Sequence, residues 1–396
     1  MKLKDKNLLI ISSYFPDKKN TFIGGIFVKR QLEYIKKKFK RVEVIALTTY
    51  LPKALTKLGL YRHRTKQIGL RNYTYDNVHV HFVYFPVIPT NFFRKYSRKI
   101  AFFIASRYIE RKNIRFDIIH AHFTHPSGYV AVKLKEKYKK PTILTVHEDS
   151  SFLQNEINRN DSMLNESWKK SDFIIRVNKR DVLKLKKFNK NVINIPNGFN
   201  KKVFHPIDKN YCREKLNLPK YKKIILSISI LAEQKGFKYS IEAMKYVVER
   251  DKNVLYLIGG QGPLKNSLEK QIKDLGLGNY VKLIGFVPSD KISLYMNACD
   301  FFLLPSLNEG NPTVMFETIG CGKPFIGTSV GGVPEIIINN KLGILSKPRD
   351  IKTISKNVLL AFKKEWDSNY IVNYAEQFTW ENIAKEILKV YEKVLE

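Results

Sequence analysis

Short runs of apolar, β-branched residues alternate with longer amphipathic stretches along the whole chain. In the first half, the runs NLLIISSY, VEVIAL, VHVHFVYF, DIIHAHF, PTILTVH, DFIIRVN and NVINIPNG read as strands. Helical spacing lies between several of them, as in GGIFVKRQLEYIKKK. The second half repeats the plan with KIILSIS, NVLYLIGG, VKLIGF, DFFLLPS and KPFIGTS. Strand–helix–strand alternation predicts an α/β protein with parallel sheets covered by helices on both faces. Two such series predict two doubly wound, Rossmann-like domains, over 1–199 and 200–375. They join near 197–206, where PNGFNKKVFHP carries turn residues and no periodicity. Sheets of this kind bind ligands beyond the carboxyl ends of their strands, so two facing each other would place a site in the cleft between them.

Composition narrows this picture. A length of 396 residues suits two cores, and a hydrophobic fraction of 44% sets disorder aside. The three cysteines, Cys212, Cys299 and Cys321, are scattered without a CxxC, as expected for a reducing compartment. The apolar run in MKLKDKNLLIISSYF is too short for a signal peptide, and no window approaches the ~18 apolar residues of a bilayer span. A cytoplasmic location is the expectation. The formal charge of +34 is uneven. Residues 1–200 hold 41 Lys and Arg against 15 Asp and Glu, a net of +26, whereas residues 201–396 hold 29 against 21, a net of +8. A genome-wide lysine bias would raise both halves, so an anionic partner is expected to meet the first. Nucleic acid would fit the charge alone, but no stacking motif or binding module accompanies it.

The most informative stretch is NEGNPTVMFETIGCGKPFIGTS, from Asn308 to Ser329. A buried strand over Phe301–Pro305 runs into a polar loop, Pro312 suits a helix start, and GCGKP stops that helix. Glu309 then lies at the helix mouth and Glu317 inside it. The two carboxylates could be an acid/base pair, metal ligands, or clamps on a hydroxyl-rich ligand. Free amides at the helix start attract phosphate, and a carboxylate accepting two hydrogen bonds suits a sugar diol. A glutamate merely interacting with the helix dipole is the plain alternative. No further carboxylate or histidine completes a metal set, and no metal is expected. His120 and His122 alternate along one strand, so at most one is expected to face a cleft.

The stretch resembles the E-x7-E element of the family 4 retaining glycosyltransferases, which have the GT-B fold. Further landmarks follow in that family's order over about residues 10–340: FIGGIFVKRQLEYI, HAHFTHPSGY, TVHED, IPNGFN, SILAEQKGF, LIGGQGPL and KLIGFVP. The final FTWENIAKEILKVYEKVL resembles the family's last helix, which implies that 376–396 cross back onto the first domain. The resemblance implies that Glu309 contacts hydroxyls of the donor sugar and Glu317 holds the ribose diol. It implies that backbone amides of Thr313 and Val314, in the loop with Gly310 and Asn311, approach the sugar and its phosphate. Lys235, before Gly236, would neutralise the pyrophosphate, helped by amides of Gly24 and Gly25. His147 would lie near the transferred sugar. Phe286, after Gly285, is either a core residue or a contact to the base. The family commonly has an arginine five residues before that lysine; here the position is Ile230, so another basic group such as Lys238 would be needed.

The segment NFFRKYSRKIAFFIASRYIERK, Asn91 to Lys112, is a basic and aromatic helix. Phe92, Phe93, Tyr96, Ile100, Phe103 and Ile104 share one face, expected to pack on the sheet. Arg94, Lys95, Arg98 and Lys99 lie opposite and would add to a surface that adsorbs to anionic lipid. The reading is a retaining, metal-independent transferase without a cofactor, moving sugar from a nucleotide-sugar donor to a lipid-linked or glycan acceptor. It would sit on the inner face of the cell membrane and bind no nucleic acid. A non-hydrolysing nucleotide-sugar 2-epimerase shares the two-domain plan and is the alternative.

Overall fold

A computed structural model describes residues 3–20, 24–50, 69–87 and 91–396, without the side chains of 91–95. The chain divides into two compact units, one of residues 1–196 with 381–396 and one of residues 197–380.

In the first unit the apolar runs form a sheet of eight described strands. They are β1 (Asn7–Ser12), β2 (Arg41–Tyr50), β3 (Tyr73–Tyr75), β4 (Val78–Pro86), β5 (Ile118–His122), β6 (Thr142–Val146), β7 (Phe173–Arg176) and β8 (Val192–Asn194). Their order is β3-β4-β2-β1-β5-β6-β7-β8, and every pair is parallel except β3 with β4. The second unit holds β9 (Lys223–Ile228), β10 (Val254–Gly259), β11 (Val281–Gly285), β12 (Phe301–Leu304), β13 (Phe325–Thr328) and β14 (Gly343–Ser346). These are all parallel, in the order β11-β10-β9-β12-β13-β14.

Why such strands read as unbroken apolar runs is visible in β9. Ile224 and Leu226 join one buried layer with Phe302 and Leu304 of β12. Ile225 joins the layer on the other face with Phe301 and Leu303. Both faces of the sheet are covered, so successive residues must all be apolar. In each sheet the strand order reverses beside its first strand: β1 lies between β2 and β5, and β9 between β10 and β12. Loops leaving such a pair of strands diverge, which opens a crevice at their carboxyl ends.

The last helix, Trp380–Leu395, buries Ile383, Ala384, Ile387, Val390 and Tyr391, a spacing of three and four that makes one apolar stripe. Its residues from 381 onward belong to the first unit.

The helix Asn91–Arg111 corrects the sequence reading. Its buried face is made of Ser97, Arg98, Ala101, Ala105, Ser106 and Ile109, while Tyr96, Ile100 and Phe103 are exposed. Small residues let the helix backbone approach its neighbours closely, and that outweighs the bulk of the aromatic side. Arg98 is only 1% exposed and donates to both carboxylate oxygens of Asp161, at 2.7 and 2.8 Å, and to Nδ1 of His125 at 2.9 Å. A buried guanidinium needs such a fork of acceptors, so Arg98 is structural and adds nothing to an outer basic surface. The side chains of Phe92, Phe93, Arg94 and Lys95 lie outside the described residues.

Candidate active site

In the second unit, the loop after β9 closes with a short turn, Glu233–Lys235, and Gly236 opens the helix Phe237–Arg250. Gly236 has φ +66°, and a Cβ there would lie 2.1 Å from the carbonyl oxygen of Pro305. Only glycine lets this turn press against the loop after β12. Leu307 N donates to Gln234 O at 2.8 Å and fastens the two loops. That contact brings Lys235 to Glu309: Nζ donates to Oε1 at 2.6 Å, and both side chains are largely buried. The hydroxyl of Ser306, fully buried, donates to the same oxygen at 2.6 Å. Ser306 was not singled out in the sequence, although it stands directly after the strand and three residues before Glu309.

Behind Glu309, Gly331 has φ +53°, and a Cβ there would meet the Glu309 carbonyl oxygen at 2.0 Å. Gly332 N donates to Gly310 O at 2.8 Å. The glycine pair thus backs the glutamate loop, a second contribution the sequence reading missed. Asn311 is held from the interdomain stretch: its Oδ1 accepts from Asn197 N at 3.1 Å and its carbonyl from Asn197 Nδ2 at 2.7 Å. The Nδ2 of Asn311 is buried with no partner among the described residues.

The helix itself runs Thr313–Gly320, with Pro312 as N-cap and no side chain capping its first amides. The amides of Thr313 and Val314 therefore carry the uncompensated positive end of the helix. Glu317 is buried within it. Phe286 is exposed after Gly285 at the end of the edge strand β11. Ile230 is also exposed, and Lys238 pairs with Glu233 at 2.5 Å on the surface. Lys238 thus already has a carboxylate partner.

In the first unit the carboxyl ends of β1, β5 and β6 carry the other candidates. Gly25 has φ +70° and caps the helix Ile26–Ile35; a Cβ there would meet Tyr14 O at 2.2 Å. Phe27, two residues on, packs its ring on His147 at 4.6 Å, and Phe123 packs on it at 5.1 Å. The Gly24–Gly25 turn and His147 are therefore brought together. His122 Nδ1 lies 2.9 Å from His147 Nε2. His120 packs against His122 with ring centroids 4.3 Å apart and planes tilted by 31°. This corrects the expectation that the pair would split: residues two apart on a strand point the same way.

Burial pushes His147 and His122 well below the ordinary histidine range and His120 down to about 3, so all three rings are neutral at pH 7. Arg176 adds to the effect on His147. That guanidinium is fully buried and donates to Val146 O at 2.8 Å and to Asp181 at 2.7 Å. It fixes the carbonyl immediately before His147. Burial also raises the carboxyl of Glu148, whose Oε1 accepts from Thr124 N at 2.6 Å.

Among the described residues no cluster of three or more His, Cys, Asp or Glu could hold a metal ion. A cavity of about 530 Å³, lined by Lys40, Arg41, His79, Lys112 and Arg115 among others, lies at the amino ends of β1, β2 and β4. It is at the far end of that sheet from His147.

The family "Glycosyltransferase Family 4" matches residues 44–202, and "Glycosyl transferases group 1" matches residues 208–378. An uncharacterized glycosyltransferase of Methanocaldococcus jannaschii is 29% identical over 395 residues, covering 98% of each chain. An amylovoran biosynthesis glycosyltransferase of Erwinia amylovora is 34% identical over 149 residues, 36% of this chain and 37% of its own. A solved Anabaena protein in complex with UDP has the same fold, with a TM-score of 0.73 at 18% identity over 98% of this chain and all of that one. The chain belongs to the group 1, family 4 glycosyltransferases and has their two-domain GT-B fold. It is a glycosyltransferase that depends on a nucleotide-sugar donor.

Proposed function

We propose that this transferase moves its sugar to a hydroxyl of a lipid-linked or cell-surface glycan, with retention of configuration and without a metal. The observation that carries the donor side is the Lys235–Glu309 pair at the mouth of the uncapped helix Thr313–Gly320. A lysine and free helix amides offer positive charge where a leaving pyrophosphate would gather negative charge, a preorganised electrostatic environment. Glu309 serves hydroxyls of the donor sugar, with Gly310, Asn311, Thr313 and Val314 shaping the loop. Glu317 serves the ribose, and Phe286 the base. His147, with the Gly24–Gly25 turn, serves the transferred sugar. The UDP bound by a fold neighbour makes UDP-sugars the first donors to try. A relative named for amylovoran biosynthesis favours a glycan acceptor.

The two glutamates separate experimentally. Glu317→Ala is expected to raise the donor KM at least tenfold, because a buried diol clamp binds ground and transition states alike. Glu309→Gln is expected to lower kcat about 10²-fold with KM largely kept, as for loss of a group acting in the transition state. Steady-state kinetics of nucleotide release decide this, and unchanged constants in both variants would end the clamp reading.

For the acceptor side, the proposal places the first unit on an anionic membrane at the inner face of the cell. Among the described residues no helix is long and apolar enough to cross a bilayer. The helix Asn91–Arg111 exposes Tyr96 (47%), Ile100 (38%) and Phe103 (55%), with Lys99 between them and the Arg107 guanidinium 4.6 Å over the Phe103 ring. Apolar side chains ringed by cations are suited to an anionic lipid surface, where each basic residue adds about 1 kcal/mol. The protein is expected to pellet with anionic vesicles at low salt and not with neutral ones. Ile100→Glu with Phe103→Glu should lose most of that pelleting while donor binding persists. Equal binding to both vesicle types, or pelleting untouched by the double substitution, would contradict this.

A further inference from the structure

The histidines around His147 form a connected series within the first unit, with His120 and His122 fully buried and His147 at its less buried end. Tyr391 Oη lies 2.6 Å from His120 Nδ1, and Thr145 Oγ1 lies 2.7 Å from His120 Nε2. His120 is thus pinned at both ring nitrogens, one of them by the last helix. His122 packs against it and cannot turn without breaking that contact. The His122 and His147 rings are nearly parallel, 17° apart, with centroids 5.2 Å apart. That separation is what an N–N distance of 2.9 Å leaves when two rings meet edge to edge in one plane, the geometry of an aligned N–H···N hydrogen bond.

One hydrogen bond between two neutral imidazoles holds one proton, on one of the two facing nitrogens. The choice is decided at the far side of His147. Its Nδ1 is buried and has no hydrogen-bond partner among the described residues. Were the proton of that ring on Nδ1, a buried N–H would be left without an acceptor, the rarer and costlier case. We propose that His122 is a positioning residue whose Nδ1 accepts from His147 Nε2–H, fixing the ring plane of His147 and its Nε2-protonated tautomer, with the buried Nδ1 left unprotonated. The inference rests on the reading that His147 serves the transferred sugar. Thr145 and Tyr391 act one step further out, by holding His120 and through it the plane of His122. The other charged or titratable groups set around His147 are Arg176, tied to Val146 O and Asp181, and Glu148, tied to Thr124 N.

Two substitutions separate hydrogen bonding from packing. His122→Asn places an amide oxygen where Nδ1 stood and keeps an acceptor. His122→Phe keeps a ring for stacking and removes the acceptor. In the whole protein labelled with ¹⁵N-histidine, the expected spectrum shows His147 protonated on Nε2, with a trans-hydrogen-bond N–N coupling to His122 Nδ1. The same Nε2-protonated pattern should survive in His122→Asn and be lost in His122→Phe. With the sugar nucleotide that the parent turns over, His122→Phe should lower kcat at least tenfold at unchanged donor KM, and His122→Asn should stay within about threefold. A proton on His147 Nδ1, absence of the coupling, or parental kcat in His122→Phe would overturn the proposal. If the parent releases nucleotide from no sugar nucleotide, the functional reading fails, while the spectra still decide the tautomer. If His122→Phe does not fold, the parental and His122→Asn spectra decide it.

Discussion

Lys235→Ala is expected to lower transfer by about 10²–10³-fold, the scale of losing one preorganised donor at a site of developing charge. The same substitution is expected to destabilise the ligand-free protein by about 1–3 kcal/mol, because buried Glu309 then keeps, among the described residues, only the Ser306 hydroxyl at Oε1. The two losses have different causes and can be pulled apart. Adding Glu309→Gln to Lys235→Ala removes the uncompensated charge, so stability should return most of the way to that of the parent. Transfer should stay well below that of Glu309→Gln alone, since the positive charge that meets the pyrophosphate is still absent. Urea unfolding with single-turnover kinetics on the four proteins of the cycle measures both. Transfer in the double variant equal to that of Glu309→Gln alone would show that Lys235 only neutralises Glu309 and takes no part with the donor.

The second large effect concerns acid. His120, His122 and His147 are held neutral by burial, so their protonated forms are disfavoured in the fold but not in the unfolded chain. The unfolded state therefore binds more protons below about pH 6.5, and stability must fall as pH falls through that value towards about 3, where His120 titrates in the fold. Each such ring loses about 1.2 kcal/mol between pH 7 and 5.5, so the three together cost about 4 kcal/mol. Glu148, raised by burial, works in the opposite direction with a single proton. Asp161 is held at about 2 by Arg98, and Asp181 is held low by Ser150 and Arg176 against the push of its burial. Those carboxylates lose their contribution only as pH drops below the ordinary aspartate range, outside this window. The first unit should consequently unfold before the second as pH drops from 7 to 5.5. Hydrogen exchange read by mass spectrometry on peptides of 1–196 and 197–380, in moderate urea at both pH values, makes the comparison. Equal protection of the first unit at the two pH values would mean that the histidines are not held neutral.

Both sheets were legible because parallel strands covered on two faces leave an unmistakable apolar run, as in KIILSIS and DFFLLPS. The strands β3 and β14 were not, since YTY and GILS are too short to show a period. The Glu309 loop could be read because its proline, glycines and carboxylates are close in sequence. Ser306 and Gly331–Gly332, which support that loop, show their role only once β12 and β13 lie side by side. The histidine series was out of reach for the same reason at longer range: Tyr391 stands 271 residues from His120. The helix Asn91–Arg111 misled because a helical wheel rewards bulk, while the packed face was chosen for smallness, with Arg98 drawn inward by Asp161.

The central claim is that the loops after β9 and β12 hold a nucleotide-sugar donor. It is tested most directly by titrating the whole protein with a panel of nucleoside diphosphates and their sugars, beginning with UDP and UDP-glucose, and following thermal unfolding. A ligand bound only by the folded chain raises the midpoint, by about 2.7 kcal/mol of apparent stability at a hundredfold excess over Kd. The expected result is that one base family stabilises the parent and shifts Glu317→Ala markedly less. Stabilisation by no member of the panel, or an equal shift in Glu317→Ala, would contradict the account.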